Sequence, residues 1–231
     1  MNQEIFQTDA DPSLKTIRRQ TLKETVVLRI RQAIERGELK AGEQITELGL
    51  AKKLGVGQPT IREALLELEF VGFIERHGPR KTCVTFLTRR QIDEIYLVRV
   101  RLEILAAEIL ANSPAPHLQE CEQWCREMHA SAQAGDWVKF CYADLEFHRA
   151  LWRSTENETL AGALERLVPK LFAFGIIQHA RPTPEKLIDI AKQHRQLLDL
   201  IPKHDVEGTG NLMELSMAKA WMDDMELPDI S

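Results

Sequence analysis

Three helix signals follow one another closely in the N-terminal third of the sequence, and they constrain the fold more than any other feature. Thr21 and Glu24 form a capping box that begins the first helix. Thr46 precedes a short second helix, and Pro59 stands at the start of a third. Only Gly55-Val56-Gly57 separates the second helix from the third. Because a turn this tight brings two short helices together at a steep angle, the sequence predicts a helix-turn-helix.

A hairpin signal follows the third helix. Phe73–Arg76 and Thr82–Phe86 are short strand-like runs on either side of a small, cationic tip, residues 77–81. Such a tip suits contact with phosphate or with the minor groove of DNA. An ordinary helical hairpin with a solvated loop would explain any one of these elements, but their order predicts a winged helix-turn-helix. The third helix would enter the major groove and present Thr60 and Arg62 near its N-terminus.

Charge is distributed unevenly along the chain, although the net charge of −5 taken alone argues against a nucleic-acid binder. Residues 13–88 carry 14 basic and 9 acidic side chains, whereas residues 89–231 carry 16 basic and 23 acidic ones. A basic module joined to an acidic one is typical of a DNA-binding domain fused to a domain that does not bind DNA. Chance fluctuation would produce the same asymmetry, so the charge supports this interpretation without deciding it.

Composition and segment lengths exclude several other classes. The chain has 231 residues with only 12 Gly and 10 Pro and is 44% hydrophobic, which excludes a disordered or collagen-like protein. The longest apolar stretch, Leu171 to Ile177, is far shorter than the roughly 20 residues that span a bilayer. The N-terminus lacks the features of an export signal, and 4 cysteines are too few for a disulfide framework. We therefore expect a cytoplasmic protein without a membrane segment.

Beyond Thr88 the strand signals vanish, and apolar residues recur at helical spacing in long blocks. Turn signals divide this part of the chain into about six helices. We therefore predict a mainly α protein in which residues 1–19 form a mobile arm, residues 20–87 a winged helix-turn-helix domain and residues 88–231 an all-helical bundle.

Four polar side chains fall on the apolar stripes of three predicted helices. Asp144 and His148 lie one turn apart on one stripe, His194 lies on a second, and Arg99 lies on a third. Buried charges need partners, because an unpaired one destabilises the fold strongly. One carboxylate and two imidazoles suit a divalent transition metal such as Zn, Ni, Mn or Fe. A buried hydrogen-bonded network without a metal is the alternative.

Arg99 has two interpretations of its own. Glu103 stands one helical turn later and could pair with Arg99 as a bridge worth only about 0.3–0.5 kcal/mol at an exposed site. If Arg99 faces the bundle interior instead, its planar guanidinium would bind a small carboxylate through two parallel hydrogen bonds.

Residues 42–73 resemble the GntR family of bacterial transcription regulators. The resemblance rests on Gly42, Leu50-Ala51, Leu54-Gly55-Val56, Pro59-Thr60-Ile61-Arg62-Glu63-Ala64-Leu65, Leu68 and Gly72-Phe73, with His77-Gly78 after them. It implies that Arg62 and His77 contact DNA. Gly57 and Gln58 depart from the residues common in the family, so we expect an operator that differs from the usual half-site. The candidate DNA contacts are Gln58, Thr60, Arg62, His77, Arg80 and Lys81.

Most of residues 88–222 resemble the FCD effector domain of the FadR-like branch of that family. The resemblance implies a helical bundle, whose metal-binding members have an Asp-x-x-x-His pair and two later His residues. Asp144, His148 and His194 match that pattern, but the last position falls at Ser216, so the fourth ligand is missing. Water or an effector carboxylate would fill the open positions, with Arg99 and Ser216 as the effector-binding residues.

Together these features predict a homodimeric transcription regulator on a near-palindromic operator, because a two-fold site needs a two-fold protein. The resemblance implies a repressor, and the bundle predicts control by a small carboxylic acid together with a metal. Two alternatives stay open. One is a metal-dependent hydrolase in which Asp144, His148 and His194 activate water, and the other is a metal sensor with no organic effector.

Overall fold

A winged helix-turn-helix precedes an all-helical bundle in this protein, which confirms the predicted fold class. The structure is a computed structural model that describes residues 21–78, 81–178 and 182–220, with residues 218–220 described as backbone only. The predicted arm, residues 1–19, lies outside the described residues.

Three helices and three short strands form the described part of the N-terminal domain. They are α1 (Leu22–Glu35), β1 (Gln44–Ile45), α2 (Glu47–Leu54), α3 (Gln58–Phe70), β2 (Ile74–Arg76) and β3 (Thr82–Val84). The predicted capping box is present, since the Thr21 hydroxyl accepts from the Glu24 backbone N–H and the Glu24 carboxylate accepts from the Thr21 backbone N–H. α2 ends at Gly55, whose φ of 67° is a left-handed conformation that glycine adopts readily.

The strands form one small antiparallel sheet in the order β1-β3-β2. β2 and β3 are the predicted hairpin, with Ile74 opposite Val84. β1 adds to the other edge of β3, with Gln44 opposite Cys83. The sequence does not predict β1, because a strand of two residues has no readable alternation of apolar and polar side chains.

Seven α-helices and one 3₁₀ turn make up the described part of the C-terminal half. They are α4 (Arg89–Asn112), α5 (Gln119–Gln133), α6 (Trp137–Ser154), α7 (Glu158–Leu167), α8 (Pro169–Ile177), α9 (Pro184–Leu200), the turn Ile201–Lys203 and α10 (Val206–Ala220). One helix more than predicted is present because Pro169, which has no N–H to donate, separates α7 from α8. Within the described ranges, no helix combines the length and the apolar character needed to cross a bilayer.

Most buried side chains of the two halves belong to one continuous hydrophobic core. Tyr142 of α6 donates its hydroxyl hydrogen to Glu35 Oε1 of α1 at 2.8 Å, and its ring centroid lies 5.0 Å from the guanidinium carbon of Arg31. Gly72 lies so close to α8 that a Cβ there would be 2.6 Å from the backbone N and Cα of Lys170. Because the core is shared, the predicted domain limits stay a prediction.

Candidate functional site

The start of α3 is the candidate DNA-reading surface. Ile61, Leu65 and Leu68 are buried on the side of α3 that packs against α1. Gln58 and Arg62 are exposed one turn apart, and Thr60 between them is half-buried. The N-terminal turn of α3 therefore presents polar side chains to solvent while the apolar side anchors the helix.

Arg62 has a partner in the free protein. Its Nε and Nη2 donate to the Glu47 carboxylate at 3.2 and 2.9 Å. This hydrogen bond lowers the pKa of Glu47. Because an exposed ion pair is worth only about 0–1 kcal/mol, a base edge or a phosphate can replace Glu47 at little cost.

The wing follows β2. The His77 backbone N–H donates to the Lys81 carbonyl at 2.7 Å, which closes the base of the loop. The side chains of His77 and Lys81 are exposed, and His77 Nε2 is 3.7 Å from Glu75 Oε2. Arg80 lies outside the described residues.

A cavity inside the bundle is lined by the four predicted inward polar groups and by Ser216. Its volume is about 20 Å³, and it is completed by one amide and three apolar side chains, which are Gln193, Leu197, Met213 and Met217. The four polar groups are deeply buried, with 3% of Arg99, 1% of Asp144, 4% of His148 and 7% of His194 exposed.

Three potential ligand atoms converge in this cavity. The Nδ1 of His194 lies 2.8 Å from the Ile190 carbonyl, and the Nδ1 of His148 lies 3.1 Å from Glu103 Oε2. Since both of these partners accept, each Nδ1 is assigned the proton and each Nε2 keeps its lone pair. The two Nε2 atoms are 3.4 Å apart. The Nε2 of His194 is 3.1 Å from Asp144 Oδ1, and that of His148 is 3.5 Å from it.

Asp144 Oδ1 is buried, and no hydrogen bond among the described residues reaches it. Two imidazole lone pairs and one carboxylate oxygen therefore face one another without a donor between them. Such an arrangement needs a cation, either a proton or a metal ion. The ligand atoms of Asp144, His148 and His194 all lie within 4.8 Å of one another, so one ion could contact all three.

The electrostatics of the cavity favour positive charge at this position. Burial disfavours the imidazolium form of His194, but the Asp144 carboxylate and the Ile190 carbonyl outweigh burial and raise the pKa of His194. Burial likewise opposes ionisation of Asp144, yet His194, and then His148, hold the pKa of Asp144 below its ordinary value. Asp144 is therefore available as an anionic ligand.

Arg99 both pairs with Glu103 and lines the cavity. Its Nε donates to Glu103 Oε1 at 3.3 Å, and none of the hydrogen bonds among the described residues uses its Nη1 or Nη2. Its guanidinium carbon lies 5.0 Å from the centroid of the Phe172 ring. Both interpretations of Arg99 therefore hold in part, since the pair with Glu103 is present but is buried, with Arg99 3% and Glu103 0% exposed.

Comparison with known proteins identifies both halves of the chain. Residues 22–84 match the model of the gntR family of bacterial regulatory proteins. Residues 94–219, more than half of the chain, match the model of the FCD domain. The chain belongs to the GntR family and carries an FCD domain.

Relatives of this GntR-family protein are similar over most of their length. A probable D-xylose utilization operon transcriptional repressor of Paenarthrobacter nicotinovorans is 29% identical over 197 residues, which are 85% of this chain and 86% of that protein. An uncharacterized HTH-type transcriptional regulator of Mycobacterium tuberculosis is 30% identical over 70% of this chain and 72% of that protein. The solved structure of E. coli McbR/YncC has the same fold, with a TM-score of 0.67 and 23% identity over 86% of this chain and 94% of that chain.

The GntR-family protein is a DNA-binding transcription regulator and not an enzyme, since its family and its relatives are transcription regulators. The hydrolase interpretation of Asp144, His148 and His194 is therefore wrong. Any role of Asp144, His148 and His194 in binding a metal or an effector stays a proposal.

At the two candidate sites of this regulator, the sequence pattern does not single out Glu47, and it predicts Glu103 only as a partner of Arg99. Leu102 and Ile109, which lie at helical spacing from Arg99, are only half-buried. The buried stripe is instead Ile92, Ile95, Arg99, Glu103, Ala106 and Leu110. Its spacing is equally helical, but because Glu103 stands one turn after Arg99, the sequence leaves both an exposed pair and an inward-facing Arg99 open.

Proposed function

We propose that this regulator is a repressor that binds operator DNA as a homodimer and responds to a small carboxylic acid bound in the FCD cavity. A divalent metal held by Asp144, His148 and His194 would accompany the acid. The observation that carries the proposal is the convergence of ligand atoms of Asp144, His148 and His194 within 4.8 Å of one another, with the buried Asp144 Oδ1 left without a hydrogen-bond partner among the described residues. The Paenarthrobacter relative is named as a repressor, which supports the sign of the regulation.

The donor set suits a transition metal. Two imidazoles and one carboxylate bind Zn, Ni, Mn or Fe, whereas Mg and Ca prefer oxygen ligands. Each imidazole donates its Nδ1–H to a fixed oxygen, which is the support that metal-binding histidines usually have. With three protein ligands, the ion would keep positions open for water or for an effector oxygen.

The charges of the cavity favour an anionic ligand once a metal is bound. Arg99 balances Glu103, so the formal charge is that of Asp144, or −1, when both imidazoles are neutral. A divalent ion changes this charge to +1, and a monocarboxylate would return it to zero. The two Nη atoms of Arg99 are available to bind such a carboxylate through parallel hydrogen bonds.

Three exposed apolar side chains on α4 support the homodimer, and the exposed Arg101 lies among them. Leu97, Val98 and Leu105 share one side of this helix and are 67%, 49% and 43% exposed. Apolar side chains gathered on one exposed helix face favour contact with another protein surface. A two-fold dimer would bring two α3 helices to the two half-sites of a near-palindromic operator.

Replacing Arg62 with alanine should weaken binding to the operator by about 1–3 kcal/mol, because a bidentate contact to a base edge is worth that much. The operator is first selected from random duplexes with the wild-type chain, and affinities are then measured by fluorescence anisotropy. Lys81→Ala is the control. It should weaken binding to every sequence alike and lower the salt slope by about one. Unchanged affinity of a folded Arg62→Ala chain would refute the role of Arg62.

Introducing a histidine at Ser216 should tighten metal binding, because Ser216 lines the same cavity as His194. We expect a gain of roughly tenfold or more, since loss of a mere supporting partner already costs about 10–100-fold in affinity. Dissociation constants of Zn²⁺ and Ni²⁺ are measured by competition with a chelating dye. Ser216→Ala should bind as the wild type does, and equal affinity of all three chains would argue against a metal beside residue 216.

A further inference from the structure

Glu103 lies in the middle of α4 and receives hydrogen bonds from three buried side chains. Its Oε2 accepts from His148 Nδ1 at 3.1 Å and from Trp152 Nε1 at 2.8 Å. Its Oε1 accepts from Arg99 Nε at 3.3 Å. Through one carboxylate, α4 thus contacts a candidate metal ligand and the candidate anion-binding arginine.

A buried carboxylate is a costly way to stabilise a fold. The desolvation of a buried ion pair often exceeds its attraction, so packed apolar residues of similar volume are frequently as stable. Ring and guanidinium N–H groups of His148, Trp152 and Arg99 surround the Glu103 carboxylate, so this group acts as an acceptor. A buried acceptor of this kind fixes the orientation of its donors, which here include the ring of His148.

The His148 ring has the Glu103 carboxylate as the hydrogen-bond partner of its Nδ1. Two aromatic rings that offer no acceptor pack around it, with centroid distances of 5.7 Å to Phe147 and 6.1 Å to Phe172. His194 differs, because its Nδ1–H is held by the Ile190 carbonyl of its own helix. Without Glu103, a neutral His148 could carry its proton on Nε2 and donate it to Asp144 Oδ1, 3.5 Å away. That tautomer would occupy the position of the cation.

We propose that Glu103 is a positioning residue for the cation site, whose carboxylate holds His148 with Nδ1 protonated and Nε2 facing Asp144 and His194. The inference rests on the proposed metal function of the same cavity. It assigns to α4 a part in metal binding without any direct contact between Glu103 and the ion.

Three variants separate positioning from packing and from charge. Glu103→Met removes the acceptor at similar length, Glu103→Gln keeps one oxygen and removes the charge, and Trp152→Phe removes the other donor to Oε2. In Glu103→Gln the amide oxygen should face the two donors His148 and Trp152. We therefore expect the dissociation constants for Zn²⁺ and Ni²⁺ to rise about 10–100-fold in Glu103→Met, but less than about threefold in the other two variants.

A second measurement needs no metal. Long-range ¹H–¹⁵N NMR spectra of the metal-free chain report which ring nitrogen of His148 carries the proton. We expect the Nδ1–H form in the wild type, in Glu103→Gln and in Trp152→Phe, and the Nε2–H form in Glu103→Met. If Glu103→Met does not fold, Glu103→Asp replaces it, because its shorter side chain withdraws the carboxylate from Nδ1 while keeping the charge.

Tight metal binding and an unchanged tautomer in Glu103→Met would overturn the proposal. A loss of metal affinity in Glu103→Gln as large as that in Glu103→Met would also overturn the proposal, because the charge of the carboxylate and not its acceptor oxygen would then be responsible. A wild-type chain that binds neither ion would instead overturn the metal function itself. In that case the tautomer, measured without metal, decides alone whether Glu103 sets the His148 ring.

Discussion

Replacing Gly72 with alanine should lower the free energy of unfolding by about 2–5 kcal/mol. Gly72 has a φ of +83°, and an added Cβ would lie 2.6 Å from the backbone N and Cα of Lys170 and 2.8 Å from the carbonyl carbon of Pro169. The left-handed conformation costs a residue with a Cβ about 1–2 kcal/mol, and overpacking adds about 1–3 kcal/mol. Backbone atoms cannot swing away as a flexible side chain can, so α3 and α8 would have to separate.

Gly135→Ala is the matched control for this substitution. Gly135 also has a positive φ, +64°, but no heavy atom lies within 4 Å of the position of its Cβ. The Gly135→Ala substitution should therefore lower the free energy of unfolding only by the cost of the left-handed conformation, about 1–2 kcal/mol. Urea denaturation followed by circular dichroism measures both variants. Equal losses at the two glycines would contradict the close approach between residue 72 and α8.

The close approach at Gly72 illustrates which parts of the fold the sequence could not predict. The helix starts at Thr21, Thr46 and Thr88 are local signals, in which a side chain caps the helix that follows it. The contact of Gly72 with Lys170 joins residues that are far apart in the chain. From sequence alone, a glycine between a helix and a strand is interpreted as a turn residue. The close contact of Gly72 with α8 is evident only in the folded structure.

The candidate metal site likewise has one part that local sequence patterns predict and another that depends on tertiary packing. Asp144, His148 and His194 could be predicted as inward-facing, because each replaces an apolar residue on an otherwise unbroken stripe. That the stripes of α6 and α9 meet, with two imidazole nitrogens 3.4 Å apart, depends on helix packing that no local pattern encodes. The role of Glu103 depends on that packing as well, since its partners His148 and Trp152 lie on another helix.

One helix of this packing, α6, connects the cavity with the DNA-binding domain. Tyr142 contacts Glu35 and Arg31 of α1, and Asp144, two residues later, faces the cavity on the opposite side of α6. A shift of α6 on metal or acid binding would therefore be transmitted directly to α1 through these contacts. This arrangement gives the proposed effector a physical route to α3, which packs on α1.

Adding a divalent metal ion to the metal-free wild type should raise its melting temperature by about 5–10 °C and should leave that of His194→Ala unchanged. A ligand that binds only the folded state stabilises it by about 2.7 kcal/mol at a hundredfold excess over its Kd, and about 1 kcal/mol corresponds to about 2–4 °C at this chain length. His194→Ala removes one of three ligands and leaves Asp144 and His148, which are too few to hold the ion.

The measurement is thermal denaturation after treatment with a chelator, with and without Zn, Ni, Mn or Fe. Each variant is compared with its own metal-free form, because His194 also packs against Phe147, 4.6 Å between ring centroids. His129→Ala is the control, since His129 is exposed on α5 and does not line the cavity. It should show the shift of the wild type.

Equal shifts in the wild type and in His194→Ala would place the ion somewhere other than the cavity. No shift with any of the four ions would leave Asp144, His148, His194 and Arg99 as a buried hydrogen-bonded network, with a carboxylic acid held by Arg99 alone. A shift with metal that added acetate does not increase would favour a metal sensor over a sensor of carboxylic acids. The three outcomes differ because metal and acid would bind different groups of the same cavity, the imidazoles with Asp144 in one case and the guanidinium in the other.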